Sequence, residues 1–157
     1  MKLHLGCGND YLKGWVNVDL YAKEADIIAD VLHLPFEDNS ADAILAQHVI
    51  EHFHYYNSFK LFKEWYRVLK PGGWLIVECP DLKKVTKAFL EKTIPFDAMY
   101  VCLYGEPWKP GQTHYYAWFT EQLIWALKGV GFKQFVEKKA VRYTNLYKWS
   151  MHLEAQK

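Results

Sequence analysis

Near its start the chain reads LHLGCGND, Leu3 to Asp10, an apolar stretch that runs straight into Gly-Cys-Gly. Gly6 and Gly8 remove side chains where the chain must turn, which lets bare backbone approach a small ligand closely. Asp19 then closes WVNVDL, and Asp30 lies in DIIADV. A carboxylate at a strand end can accept both hydroxyl protons of a ribose through charge-assisted hydrogen bonds. Further on, AQHVIEHF holds Gln47, His48, Glu51 and His52, and His114 lies in QTHYYAWF. The 48, 51, 52 spacing puts three side chains on one side of a helical turn. Imidazoles beside a carboxylate suit proton transfer. Three imidazoles and one carboxylate also suit a borderline divalent metal such as zinc or manganese. The blander alternative is that Glu51 and His52 fix a loop by hydrogen bonds.

The glycine pair alone does not name a ligand. A dinucleotide fingerprint needs a third glycine three residues after the second, and Tyr11 stands there. No Gly-Lys-Ser/Thr follows, so a phosphate-binding loop is also disfavoured. A nicotinamide-dependent oxidoreductase therefore loses support.

These residues need elements to carry them. Leu3–Leu5 reads as a first strand, followed by a short helical turn from Asn9 to about Gly14. Only 13 positions separate Gly6 from Asp19, so that helix must be very short. Trp15–Leu20, Asp26–Val31 and Ala43–Val49 read as the next strands, with a loop broken by Pro35 before the last. Asn57 is placed to cap a helix to Lys70, with Phe59, Phe62, Tyr66 and Leu69 as its core stripe. Lys70-Pro71-Gly72-Gly73 stops it, and the near-continuous apolar run Trp74–Pro80 predicts a strand buried on both faces.

Residues 94–113 read as an irregular stretch, with Pro95, Pro107, Pro110, Gly105 and Gly111. A helix starts near Thr120, with Glu121 in its first turn, and ends at Gly129–Gly131. Phe132–Lys138 and Tyr147–Leu153 predict a closing antiparallel pair. The implied fold class is α/β: a Rossmann-like doubly wound sheet in three layers, mostly parallel, with an antiparallel C-terminal strand. Residues 1–157 form one domain. The segment at about 94–119 serves as a substrate-binding or lid region, with the aromatics from Tyr100 to Phe119 as acceptor-pocket candidates and Trp118 and Phe119 assigned to the core. Ligands in such sheets bind outside the carboxyl ends of the strands, where strand order reverses, and the opening glycine turn lies there.

Composition narrows the classes. The chain has 157 residues, 51% hydrophobic and 24% charged, enough for one domain with a real core. The formal net charge of +1 disfavours a dedicated nucleic-acid binder. No apolar run is long enough for a transmembrane helix, and the N-terminus does not read as a secretory signal. The three cysteines, Cys7, Cys79 and Cys102, have neither zinc nor disulfide spacing. They read as free thiols of a cytoplasmic protein, with Cys7 a small residue in a tight turn.

LHLGCG, the strand-end Asp19, LPF at Leu34–Phe36, EHF at Glu51–Phe53 and RVLKPGGWLIVE at Arg67–Glu78 occur in this order. Together they resemble the class I S-adenosylmethionine-dependent methyltransferases over about residues 3–80. The nearest likeness is to small bacterial methyltransferase-type proteins that begin LNLGCG, with GWVNVDL soon after. The resemblance implies S-adenosyl-L-methionine as cofactor and S-adenosyl-L-homocysteine as product. It implies that Leu5, Gly6, Cys7 and Gly8 face the methionine portion and that Asp19 and Leu20 take the ribose. Asp30, Val31 and Leu32 would hold the adenine edge, and Gln47 and His48 would face the sulfonium and its methyl.

The catalytic candidates are His48, Glu51, His52 and His114. The pattern is also similar to that of small-RNA 2′-O-methyltransferases, in which carboxylates and histidines hold a divalent metal, though here His48 stands at the first acidic position. The leading expectation is methyl transfer to an oxygen or nitrogen of a small-molecule or sugar-containing acceptor, without a metal, a membrane or a nucleic acid as partner. The alternatives are a non-catalytic S-adenosylmethionine-binding or protein-interaction module, and an RNA 2′-O-methyltransferase with a metal at the His/Glu cluster.

Overall fold

A computed structural model describes residues 1–140 and 147–157. Seven strands form one sheet: β1 (Lys2–Leu5), β2 (Val16–Asp19), β3 (Ile27–Ile28), β4 (Ala41–Gln47), β5 (Leu69–Pro80), β6 (Lys133–Lys138) and β7 (Ser150–Gln156). Their spatial order is β3-β2-β1-β4-β5-β7-β6. The first five run parallel, and β7 is antiparallel to both β5 and β6. Strand order reverses between β1 and β4, so the glycine turn does sit at the switch point.

One face of the sheet is apolar because alternate side chains point the same way. Leu3, Leu5, Val18, Ile44, Ala46, Leu75, Val77, Leu153 and Ala155 form a core with α1 (Tyr55–Val68) and α4 (Thr120–Val130). The stripe of α1 that enters it is Leu61, Phe62, Trp65 and Val68. Phe59 and Tyr66, expected in the stripe, flank it half-buried. Asn57 does not cap α1: the helix starts at Tyr55, whose ring packs against Phe59, Tyr116 and Trp118. Packing rather than capping sets this start.

The opposite face is more polar and is covered in part by turns. The predicted helix between β1 and β2 does not form, because residues 6–15 are too few for a helix plus both connections. The Asn17 side chain organises this segment instead. Its Oδ1 accepts from the Leu12 amide at 2.8 Å, and its Nδ2 donates to Asp26 Oδ2 at 2.9 Å. On the same face Gln47 donates to Glu78, and Glu78 pairs with His152. Trp74 and Ile76 of β5 are half-buried, so that strand is not enclosed on both faces as its composition predicts. β5 begins at Leu69 and carries the Lys-Pro-Gly-Gly bend as a break in register between its pairings with Ala41 and Ala43.

Two helices appear where none was expected. α2 (Leu82–Leu90) is capped by Asp81, whose carboxylate accepts from the Lys83 and Lys84 amides. α3 (Phe96–Tyr104) occupies half of the supposed irregular stretch, with Pro95 at its N-cap and Gly105 after its end. Val85, Ala88, Ala98, Cys102 and Trp149 make a second small core between them. The C-terminal strand starts later than Tyr147: residues Tyr147–Trp149 form a 3-10 turn, and β7 begins at Ser150.

His152 donates to Glu78 and lies against Glu154, and these contacts raise its pKa despite the opposing effect of burial. A raised imidazolium pKa stabilises the fold below the unfolded value of about 6.5 and loses that contribution as pH rises through the folded value. The stability gap between wild type and His152→Gln, read by urea denaturation, is therefore largest in mild acid and narrows on going to alkaline pH. A gap that does not change with pH would remove His152 from the ion pair.

Candidate active site

The carboxyl ends of β1, β2, β4 and β5 open on a cleft of about 1250 Å³, whose wall includes Gly6, Gly8, Asp19, Asp30, His52 and His114. Gly6 and Gly8 are both left-handed, with φ of 63° and 51°. A Cβ on Gly6 would stand 2.5 Å from Val49 Cγ2, whereas a Cβ on Gly8 would enter open space. The first glycine thus lets β1 pack against the segment after β4, and the second leaves a concave wall.

Asp19 holds this wall in place. Its Oδ2 accepts from the Gly8 amide at 2.9 Å, and its Oδ1 from the Tyr21 and Ala22 amides at 2.7 and 2.9 Å. An ionised carboxylate has about four acceptor sites. Three are occupied, so one remains on Oδ2 for a ligand hydroxyl rather than the two acceptances that the sequence suggested.

Asp30 Oδ1 takes the Leu32 amide at 2.9 Å, so that amide is committed within the loop. The Val31 carbonyl accepts from Trp65 Nε1 at 3.1 Å. Asp30, Val31, Leu32, Leu20, Gln47 and Cys7 all lie on the cleft wall. Leu5 does not: it is fully buried in the core beneath, because its side chain alternates to the helical face of β1. Cys7 is nearly inaccessible, and burial together with the Asp19 charge pushes its thiol up to about 11.

At the other end of the cleft His48, His52 and His114 reach the wall, and the fourth candidate, Glu51, is buried behind them rather than on it. His48 follows β4 with φ of 53°, a left-handed conformation costing about 1–3 kcal/mol for a residue with a side chain. A 3-10 turn, Ile50–His52, comes next. His48 Nδ1 and Glu51 Oε1 are 3.0 Å apart. Glu51 is only 2% exposed, and its Oε2 has no hydrogen-bond partner among the described residues. Burial works against its ionisation, yet the His48 hydrogen bond and the nearby His52 and His114 prevail and lower its pKa. His114 is itself pushed down, chiefly by burial. The rings of His52 and His114 meet edge to face at 4.9 Å.

Backbone contacts bring His114 across more than sixty residues of chain. The Tyr115 and Tyr116 amides donate to the Glu51 carbonyl. The His114 amide donates to the Tyr104 carbonyl.

The aromatic segment contributes less to the wall than its composition suggests. Tyr115, with Val101 and Cys102 of α3, reaches the cleft. Tyr100 and Trp108 instead stack on each other, and Tyr104 and Trp108 are mostly exposed. Trp118 is core, as expected, but Phe119 is half-buried beside Lys83. Val49 and Val101 were not singled out from the sequence, whereas Tyr115 belongs to the aromatic acceptor-pocket candidates. The proline before α3, the acidic Asp97 in its first turn and the glycine after it were the available signals.

Residues 3–77 match the family described as a methyltransferase domain. An uncharacterised protein of Methanocaldococcus jannaschii is 47% identical over 55 residues, 35% of this chain and 23% of its own length. A tRNA (carboxymethyluridine(34)-5-O)-methyltransferase of Arabidopsis thaliana is 29% identical over 85 residues, 54% of this chain and 21% of its own. The matches thus span under a quarter of either curated relative. Among solved structures, a SAM-dependent methyltransferase from Archaeoglobus fulgidus shares the fold with a TM-score of 0.64 at 16% identity, over 99% of this chain and 85% of that one. No helix among the described residues is long and apolar enough to cross a membrane.

All three cysteines are buried, and burial raises each thiol, Cys102 also to about 11. The folded protein is therefore expected to react slowly with a disulfide reagent at pH 8, and three thiols to react rapidly after denaturation. Rapid modification of one thiol in the native state would show that its site opens.

Proposed function

We propose that residues 3–77, which match the methyltransferase-domain family, form a class I S-adenosylmethionine-dependent methyltransferase domain, that the protein binds this cofactor in the cleft, and that it passes its methyl to an oxygen or nitrogen of a small-molecule or sugar-containing acceptor. The observation that carries the reading is the Gly8 wall: bare backbone facing open space into which a Cβ would project, beside a carboxylate with one acceptor site to spare. Bare backbone with Asp19 and Asp30 nearby, and no lysine or arginine among the described wall residues, suits a ligand with an amino acid, a ribose and an adenine but no phosphates.

S-adenosylmethionine supplies a methyl on a sulfonium, already a good leaving group. The protein's task is then alignment and the exclusion of water. Gly6 and Gly8 give the methionine portion its space, Asp19 Oδ2 takes a ribose hydroxyl, and the Asp30–Leu32 loop takes the adenine edge. Gln47 and His48 lie between these and the acceptor end. The acceptor's nucleophilic atom would stand near His52 and His114. A hydroxyl or amine must lose a proton as it is methylated, and the Nε2 of either imidazole is the acceptor that supports this. The carbon–sulfur bond breaks with its electron pair on sulfur as the new bond to the acceptor forms.

An RNA acceptor has one observation behind it, the tRNA uridine named for the Arabidopsis relative. The net charge of +1 favours the small-molecule reading. Binding to RNA that weakens steeply with salt would reverse that preference.

S-adenosylhomocysteine at about 100 times its dissociation constant should add roughly 2.7 kcal/mol, or roughly 5–10 °C in melting temperature, while NAD adds nothing. Gly8→Ala should lose only the cost of its left-handed φ, about 1–2 kcal/mol, and still fold, yet bind S-adenosylhomocysteine at least about tenfold more weakly. Gly6→Ala should lose more, because its clash with Val49 adds about 1–3 kcal/mol to the same backbone cost. A shift with NAD alone, or none with either adenosyl ligand, would overturn the reading.

A further inference from the structure

The acceptor end of the cleft holds a side-chain cluster that proton transfer alone does not explain. Glu51 is buried to 2% exposure, and one of its two carboxylate oxygens lacks a hydrogen-bond partner among the described residues. Leaving a charged oxygen in that state is costly unless something positive meets it. Both neighbouring imidazoles have their tautomers fixed by backbone. His52 Nδ1 lies 2.9 Å from the Thr113 carbonyl, and His114 Nδ1 lies 3.1 Å from the Cys102 carbonyl. A carbonyl only accepts, so each Nδ1 is the protonated nitrogen and each Nε2 carries the lone pair. Metal-ligating histidines are commonly held in this way, the other ring nitrogen donating to a backbone carbonyl or a carboxylate.

One donor atom from each of Glu51, His52 and His114 lies within 4.8 Å of the other two. Donors around a first-row ion at about 2.0–2.2 Å stand about 3–3.5 Å apart. A swing of about an ångström by the two half-buried imidazoles closes that difference, while Glu51 stays anchored by His48.

We infer that Glu51, His52 and His114 form a site for one divalent transition-metal ion at the acceptor end of the cleft, with His48 as a positioning residue for Glu51. Two imidazoles and one carboxylate suit zinc, manganese, iron or cobalt rather than calcium or magnesium. Three protein donors leave the remaining coordination positions open towards the cleft. An ion so placed favours an oxygen acceptor, since Lewis acidity lowers the pKa of a hydroxyl at an open position. The hydroxyl proton then leaves to solvent rather than to an imidazole whose lone pair is taken. Only this use of the ion rests on the methyltransferase reading; the site itself does not.

The test is titration of metal-stripped protein with Co²⁺, followed by its visible ligand-field absorption, and with Zn²⁺ by calorimetry. One ion per chain is expected. Glu51→Gln, His52→Gln and His114→Gln should each weaken binding at least about tenfold, and His33→Gln, at an exposed histidine outside the cluster, should leave it unchanged. Should the buried Glu51→Gln variant fail to fold, the two histidine variants at half-buried positions give the same reading. Binding weaker than millimolar, more than one equivalent site, or affinities in all folded variants within about twofold of wild type would overturn the proposal. S-adenosylhomocysteine binding, measured on the same samples without metal, separates failure of this site from failure of the cofactor reading.

Discussion

The glycine-turn half of the cleft depends on the Asp19 carboxylate. The first connection of the sheet is too short for a helix, so no helical hydrogen bonds hold the backbone after β1. Asp19 substitutes for them by accepting amides from both sides, Gly8 from the first turn and Tyr21 and Ala22 from the second. Each hydrogen bond to an ionised acceptor contributes about 1.5–3 kcal/mol, enough to offset the ordering of a few residues at about 1–2 kcal/mol each. Asn17, two residues earlier on the same face of β2, repeats the device and ties Leu12 to Asp26. Two side chains on one four-residue strand thus organise both turns that flank it.

The loop from Val31 to Phe36 has a different support. Trp65 of α1 donates to the Val31 carbonyl, Glu64 accepts the Leu34 amide, and Arg67 donates to the Leu34 and Phe36 carbonyls. Residues 31–36 are therefore templated by one face of a helix that lies after β4 in sequence. Arg67 begins the RVLKPGG motif, and its role here is to clamp this loop. That explains why the motif and LPF belong together although about thirty residues separate them.

Much of this was legible because local rules were at work. The glycine turn, Asp19, α4 and the alternation of β7 each follow from steric or periodic signals within a few residues. Three features were less so. α3, Phe96–Tyr104, is apolar nearly all round, so it shows little helical stripe, and its prolines and glycines drew attention to loops instead. α2 buries little, only Val85 and Ala88, but Leu82, Val85 and Phe89 at helical spacing behind the Asp81 cap were a legible signal that went unread. The start of α1 was misplaced because ring packing by Tyr55 outweighed the capping preference of Asn57. In the site, the four catalytic candidates were visible as residue types. What sequence could not show is that Glu51 keeps one oxygen without a hydrogen-bond partner, or that Asp19 spends three acceptor sites on backbone.

The two ends of the cleft draw mainly on different segments. Asp19 and the α1 clamp fix the glycine turn and the loop from Asp30 to Phe36, while Glu78 of β5 holds the Gln47 side chain. The acceptor end is assembled from the turn after β4 and from residues 101–116. It is joined by the Tyr115 amide on the Glu51 carbonyl, by His52 on Thr113 and by His114 on Cys102. Every one of those links is to main-chain atoms, so side chains in this segment can change while His52 and His114 keep their orientation. Side chains that line the cleft there, Val101 and Tyr115 among them, are free to vary in the same way. Differences in acceptor among proteins that share this cofactor end should therefore concentrate in the segment from α3 to the start of α4, and leave the glycine turn and its carboxylate untouched.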